Sequence, residues 1–397
     1  MRSSGVRPGP WLRLTALAAS GATLLAVVSG ALALGTAHRV LAALALPPLV
    51  ALVVAGRLAH PRLLPAAGGS LVLFGAAAAV TAAVVHLALS GLAFAAALVA
   101  TAATYSGARI PAGSVRDYVT LTKPRIMLLL LVTGAGGMFV GAGGVPALGR
   151  FATTMVGLAL ACGGASALNH VLDRDIDRLM GKRTEKRPVA AGRVPPARAL
   201  EFGLALSAFS FVLLAGTVNV LTAALALVGN LFYVLVYTCW LKRSTPQNIV
   251  IGGAAGAVPP LVGWAAATGN LTLPALALFA VVFFWTPPHF WALALLIRRD
   301  YEAARIPMLP VARGEPETTR QIVLYTLVLV VAALMPFALG TLGLVYLAAS
   351  LVLGGAFLWL ALRLRRAVTV ARAGALFHYS LVYLALLFTA MAVDPLL

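Results

Sequence analysis

Runs of about 20 apolar residues recur along this chain, each long enough to cross the roughly 30 Å hydrocarbon core of a bilayer as a helix. Lipid cannot hydrogen-bond backbone amides and carbonyls, so a spanning segment must be a helix or part of a closed barrel. Unbroken apolar runs select helices, because barrel strands alternate in polarity. Of the 397 residues, 61% are hydrophobic and only 10% charged. The net charge of +19 sits in short loops between the runs, not on a solvated basic domain, which argues against a nucleic-acid partner. It follows the positive-inside pattern instead.

The pattern predicts an all-α integral membrane protein with nine spans, near 126–141, 152–170, 199–218, 221–240, 249–267, 271–290, 320–339, 342–362 and 374–393. Lys123, Arg125, the 178–198 loop, Lys242, Arg243, the 298–320 loop and Arg363 to Arg372 all fall on one side of the membrane. The opposite loops carry almost no charge beyond Arg150. The basic side is therefore read as the cytoplasmic face of a multi-pass plasma-membrane protein. Residues 1–112 hold no acid and form a separate N-terminal unit, with four expected spans near 12–35, 40–56, 65–84 and 87–104. A cleaved signal peptide over 1–34 is the other reading of its start. Cys162 and Cys239 lie in predicted spans without disulfide or metal spacing and read as structural thiols.

Acid is scarce, and three of the eleven Asp and Glu residues fall within five positions, at Asp173, Asp175 and Asp177. Carboxylates at a membrane helix are costly and usually functional. Asn169, Asp173 and Asp177 recur every four residues, which stacks them on one helical face about 6 Å apart per step. Hard oxygen ligands at that spacing can hold Mg²⁺ and leave positions for phosphate oxygens and water. Asp175 points off that face and reads as a partner for Arg174, Arg178 or another helix. A helix end whose charges merely form salt bridges is the competing reading, although interfacial anchoring favours Lys, Arg, Trp and Tyr. Downstream, Arg183, Thr184 and Arg187 can supply charge-assisted hydrogen bonds to a diphosphate. Alone, that segment is an ordinary basic loop. Gly252, Gly253 and Gly256 allow close helix approach, while Pro259 and Pro260 predict a break inside the fifth span.

The stretch NHVLDRDID (169–177), followed by KRTEKRP, resembles the first aspartate motif of the UbiA superfamily of intramembrane prenyltransferases. YVTLTKPRI (118–126), the 237–269 stretch, FFWTPPHFWALAL (283–295), IPMLP (306–310) and LFHYSLVYLALLF (376–388) resemble its heme branch, the protoheme IX farnesyltransferases. The likeness covers residues 113–397 and implies a nine-span UbiA-type bundle. It implies transfer of a farnesyl group from farnesyl diphosphate to a vinyl group of protoheme IX (heme B), giving heme O. It further implies Mg²⁺ on Asp173, Asp177 and Asp300, assisted by Asn169. Lys123, Arg125, Arg183, Arg187, Lys242 and Arg243 would hold the diphosphate, with Asn248, His289 and Tyr301 as further substrate contacts. His289 and His170 either meet the heme or hydrogen-bond a neighbouring helix; His378 reads as structural. Trp285 and Trp291 pack on heme or isoprenoid, or form an interfacial belt. The sequence departs from the family at Arg298-Arg299-Asp300-Tyr301, where paired aspartates usually precede the tyrosine.

In the N-terminal unit, His38 and His86 start the second and fourth expected spans on the same side. Two such histidines can bind heme iron from both faces across a bundle. Their surroundings resemble half of a heme A synthase but lack that family's acidic loop, so a heme-binding or structural remnant is expected, without oxidation chemistry. A separate heme A synthase is then an expected partner, besides the bilayer. Two other functions fit less of the sequence. A UbiA-type enzyme for a quinone or chlorophyll-like acceptor would not need the heme-branch motifs, and a transporter would show paired repeats and mid-membrane acids.

Overall fold

The computed structural model describes residues 10–31, 36–59, 64–79, 93, 97, 113–181 and 184–397. Helices α1 (Pro10–Ala31), α2 (Thr36–Ala59) and α3 (Leu64–Ala79) come first. A short helix, α4 (Val115–Leu121), then leads into α5 (Pro124–Ala142) and α6 (Leu148–Leu172). A single residue, Asp173, separates α6 from α7 (Arg174–Leu179). Helix α8 (Pro196–Thr217) follows, then α9 (Val220–Leu231), which continues as a π-helix over Phe232–Leu241. The fifth span is split into α10 (Asn248–Gly256) and α11 (Val258–Thr268). The rest comprises α12 (Leu273–Leu296), α13 (Arg298–Ala303), α14 (Leu309–Ala312), α15 (Gly314–Ala338), α16 (Leu344–Arg366) and α17 (Val370–Val393).

Among the described residues nine helical segments, from Pro124 to Leu396, are long and apolar enough to span a membrane, as the hydropathy pattern predicts. The protein is an integral, multi-pass membrane protein. The sixth span runs further than expected, to Leu296, straight through Pro287 and Pro288. Membrane helices tolerate such prolines where neighbouring helices enclose the freed carbonyls, and both residues are buried. The break in the fifth span falls at Ala257, and Pro259 and Pro260 open the second half, where a missing amide costs least.

Small residues set the closest approaches. A Cβ on Gly263 would overlap the carbonyl of Gly134, and one on Gly137 would overlap Pro260, so α5 and α11 meet backbone to backbone. Gly252 takes the ring of Tyr237 and Gly253 takes Thr286, whereas Gly256 faces open space and contributes no such contact. Around α12, α15, α16 and α17 the buried core is aromatic, with Trp285, Tyr346, Phe357, Tyr383 and Phe388. The indole of Trp285 donates to Ser380 O at 2.8 Å and the Tyr346 hydroxyl to Ala333 O at 2.6 Å. These close the polar ends of otherwise apolar rings. At the end remote from the basic loops, Asp394 accepts the backbone amides of Gly343 and Tyr346, capping α16.

The first three helices share a core of Leu12, Ala16, Ala45, Leu49, Leu52 and Phe74, to which Ala93 and Ala97 also belong. Of the fourth expected N-terminal span only Ala93 and Ala97 are described, and His86 lies outside the described residues. His38 falls in α2, with its side chain likewise outside them.

Candidate active site

The acids gather where α6 breaks. Asp173 has φ −91° and ψ 4°, so it ends α6 and starts α7 instead of lying within one continuous helix. The four-residue register nonetheless survives, because Asp173 N donates to Asn169 O at 2.9 Å and Asp177 N to Asp173 O at 2.8 Å. Asn169, Asp173 and Asp177 are all nearly inaccessible, at 3%, 1% and 0% exposure.

Each carboxylate has one oxygen on a cation and one with no partner. Asp173 Oδ2 accepts from Lys242 Nζ at 2.6 Å and from Asn169 Nδ2 at 2.8 Å. Asp177 Oδ1 accepts from Arg187 Nη1 at 2.6 Å. Asp173 Oδ1 and Asp177 Oδ2 are buried and unpaired. Unpaired buried carboxylate oxygens are expensive, and two of them one helical turn apart are what a hard divalent cation would satisfy. The donor set therefore fits Mg²⁺. Burial pushes the Asp177 carboxyl up, and the adjacent Arg187 opposes it.

Lys123 completes the cluster from α5's N-terminal cap. Its backbone is left-handed, with φ 49° and ψ 60°, a costly conformation for a lysine. It lets Nζ donate to Asn169 Oδ1 at 2.8 Å. Burial, with Arg187 close by, lowers the Lys123 ammonium to about 7. Thr238, from the π-helical stretch, accepts the second Asn169 amide hydrogen at 3.1 Å. A π-helix re-aims side chains relative to an α-helix and is often found at functional sites; here it precedes Lys242 directly. Beneath these groups Tyr237 stacks on Tyr233, with centroids 5.5 Å apart. Tyr301 and Ile249 pack with Ile176 and Met180 against the same region. Burial raises the Tyr301 hydroxyl to about 12.

Not every residue picked from the sequence reaches this cluster. Arg243 forms a two-pronged pair with Asp175, at 2.7 and 2.8 Å, and also donates to Leu172 O. That pair lowers the Asp175 carboxyl to about 2 and clamps α7 to the end of the fourth span. Arg125 is exposed, and Arg183 lies outside the described residues. Asp300 is half-buried across the loop from Gly181. Among the described residues no three acidic, His or Cys side chains form a ready-made cation cage. Asn248 is fully buried, donates to Thr245 O at 2.6 Å and leaves Oδ1 unpaired. His170, beside Asn169, is buried with neither ring nitrogen paired. His378 bonds back to Gly374 O. His289 bonds Ser380 Oγ at 2.6 Å and stacks on Trp285. Sequence reasoning missed Thr238 and Ser380. Both sit in stretches already singled out, but nothing in residue type or spacing revealed the π-helix or the partner across helices.

Residues 129–388 match the model of the UbiA prenyltransferase family. A protoheme IX farnesyltransferase of Symbiobacterium thermophilum is 56% identical over 289 residues, 72% of this chain and 96% of that protein. Another, of Roseiflexus sp. strain RS-1, is 53% identical over 279 residues, 70% of this chain; the match spans about half that longer protein, 52%. In fold the chain is similar to a UbiA homolog from Archaeoglobus fulgidus bound to GPP and Mg²⁺. The TM-score is 0.53 at 17% identity, covering 70% of this chain and 100% of that one. The chain belongs to the UbiA prenyltransferase family, on the branch of the protoheme IX farnesyltransferases.

Proposed function

We propose that this protein transfers the farnesyl group of farnesyl diphosphate to a vinyl group of protoheme IX, releasing diphosphate and giving heme O. The pair of unpaired, buried carboxylate oxygens on Asp173 and Asp177, ringed by Lys123, Arg187 and Lys242, carries this reading. It is a site for a polyanion bridged to the protein through a divalent cation. Asp173 and Asp177 would hold Mg²⁺, with Asn169 orienting Asp173 and Asp300 approaching from the facing loop. When bound, the ion supplies charge neutralisation for the leaving diphosphate.

The chain's own cations act on the same group. Arg187 and Lys242 bind diphosphate oxygens as negative charge grows on them, an electrostatic contribution placed where the transition state needs it. Lys123, held by Asn169, stands beside them. Arg125 and Arg183 are assigned to diphosphate entry, and Arg243 to bracing α7. The allylic C–O bond breaks with its electron pair leaving on diphosphate, and the isoprenoid cation is attacked by the vinyl π electrons. Water then adds to the resulting carbocation and loses a proton, leaving a hydroxyethylfarnesyl substituent. Tyr233, Tyr237 and Tyr301 line the apolar side beneath the carboxylates, where the isoprenoid would lie, with Asn248 nearby.

The concentration of basic loops around this mouth supports a cytoplasmic orientation in the plasma membrane. Residues 1–112 form a distinct N-terminal unit ahead of the catalytic unit 113–397, with His38 and His86 as its candidate heme ligands. A separate heme A synthase would take the product. Purified protein given protoheme IX, farnesyl diphosphate and Mg²⁺ should yield a product heavier by one farnesyl group and one hydroxyl. Failure to form it, with a quinone precursor accepted instead, would overturn the heme reading.

A further inference from the structure

His289 has a chemical state that the neighbouring helix fixes. Its Nδ1 lies 2.6 Å from Ser380 Oγ, and the single hydroxyl proton of Ser380 is already donated to Phe377 O at 2.6 Å. The hydroxyl can therefore only accept from the imidazole, so the proton of neutral His289 sits on Nδ1 and Nε2 carries a lone pair. Trp285 stacks on the ring at 4.3 Å and 16°, Phe377 at 5.0 Å and 25°, and Phe290 meets it at right angles at 5.2 Å. The Trp285 indole in turn donates to Ser380 O at 2.8 Å, which locks the stack to α17. Among the described residues Nε2 has no hydrogen-bond partner, while Nδ1 is held by Ser380.

This is the arrangement of a metal-binding histidine, whose second nitrogen is oriented by a hydrogen bond to an oxygen. His289 lies seven residues before the end of α12, about 10 Å below the polar end of the bundle. Phe290, the next residue, packs with Tyr237, Ile249 and Tyr301 under the carboxylates. The same turn of helix therefore carries both His289 and a side chain of the apolar cluster that holds Tyr237 and Tyr301.

We propose that His289 Nε2 is the axial ligand that seats the iron of the acceptor heme, with Ser380 fixing its tautomer and orientation. The inference rests on the heme reading above. Anchoring the macrocycle at its centre leaves the vinyl groups at its rim free to be presented toward the allylic carbon. Ser380 is a positioning residue.

Ferrous and ferric protoheme IX bound to the full-length protein in nanodiscs, without diphosphate, test this by resonance Raman and electron paramagnetic resonance. Wild-type protein should show an iron–histidine signature that His289→Ala loses and that added imidazole restores in His289→Gly. Ser380→Ala should keep the ligand but weaken heme affinity roughly tenfold, as expected for loss of a group orienting a metal ligand. An unchanged signature in His289→Ala, or a wild-type complex with no nitrogen ligand, overturns the proposal. Product formed by wild-type protein in that case leaves the farnesyl-transfer reading standing.

Discussion

At the scale of single residues, the site is poised by competition. Asp173 and Asp177 each commit one oxygen to a cation of the chain, Lys242 and Arg187, and keep the other unpaired in a buried setting. Asp173→Ala or Asp177→Ala should leave a folded protein whose turnover falls by at least about 10²-fold, the scale of losing one preorganised electrostatic group. Near-normal steady-state rates in either variant would remove the metal assignment. Lys242 has a second effect that separates stability from chemistry. It is nearly buried against Asp173, so Lys242→Met leaves an uncompensated carboxylate, a change that typically costs about 3–5 kcal/mol. The variant should melt below wild type in metal-free buffer and recover part of the loss on adding Mg²⁺. A metal-free melt equal to wild type would show that the pair is not what holds Asp173.

At the scale of elements, the loop after α7 is held to the rest of the site by polar clamps. Asp117 caps α4 through Ser114 and pairs with Arg193 at 2.8 Å, and Arg193 also donates to Lys186 O. Thr184 Oγ1 donates to Asp177 O at 2.7 Å, and Arg178 to Ala190 O. The bond from Arg193, seconded by Ser114, holds the Asp117 carboxyl below its ordinary value. Its contribution is therefore complete above the unfolded-state value of about 3.9 and is lost as pH falls through the depressed native one. Hydrogen exchange over 184–194 should be slow at neutral pH and faster in Asp117→Asn, with the two proteins converging in acid. Equal protection at neutral pH would show that the clamp is idle. The spans and the acidic face were legible in the sequence because hydropathy and a four-residue period are local properties. Breaks and partners were less so. That Arg243 would turn to Asp175, or that the fourth span would become π-helical, depends on which side chains meet from 68 or 69 positions apart. No local period encodes that meeting.

At the scale of the whole molecule, polar chemistry is confined to one end of an apolar bundle. The remote end keeps a single acid, Asp394, whose task is to cap α16. Among the described residues, the nine helical segments long and apolar enough to span a membrane fall between Pro124 and Leu396, and every residue placed in the cluster comes from this stretch or from Lys123 just before it. The Symbiobacterium relative aligns with 289 residues of this chain over 96% of its own length. A chain of about that length makes up nearly the whole of that relative, and the first three helices share a separate small-residue core with Ala93 and Ala97. Residues 113–397 expressed alone should therefore insert and turn over within about twofold of the full chain, since the two units would share few energetic couplings. In the full chain, His38→Ala combined with His86→Ala should leave farnesyl transfer unchanged. Any heme those residues hold would appear as a bis-histidine spectrum lost in the double variant and insensitive to His289→Ala. If removing residues 1–112 abolished transfer while residues 113–397 remained folded by circular dichroism and monodisperse, the N-terminal unit would have to supply part of the acceptor's path.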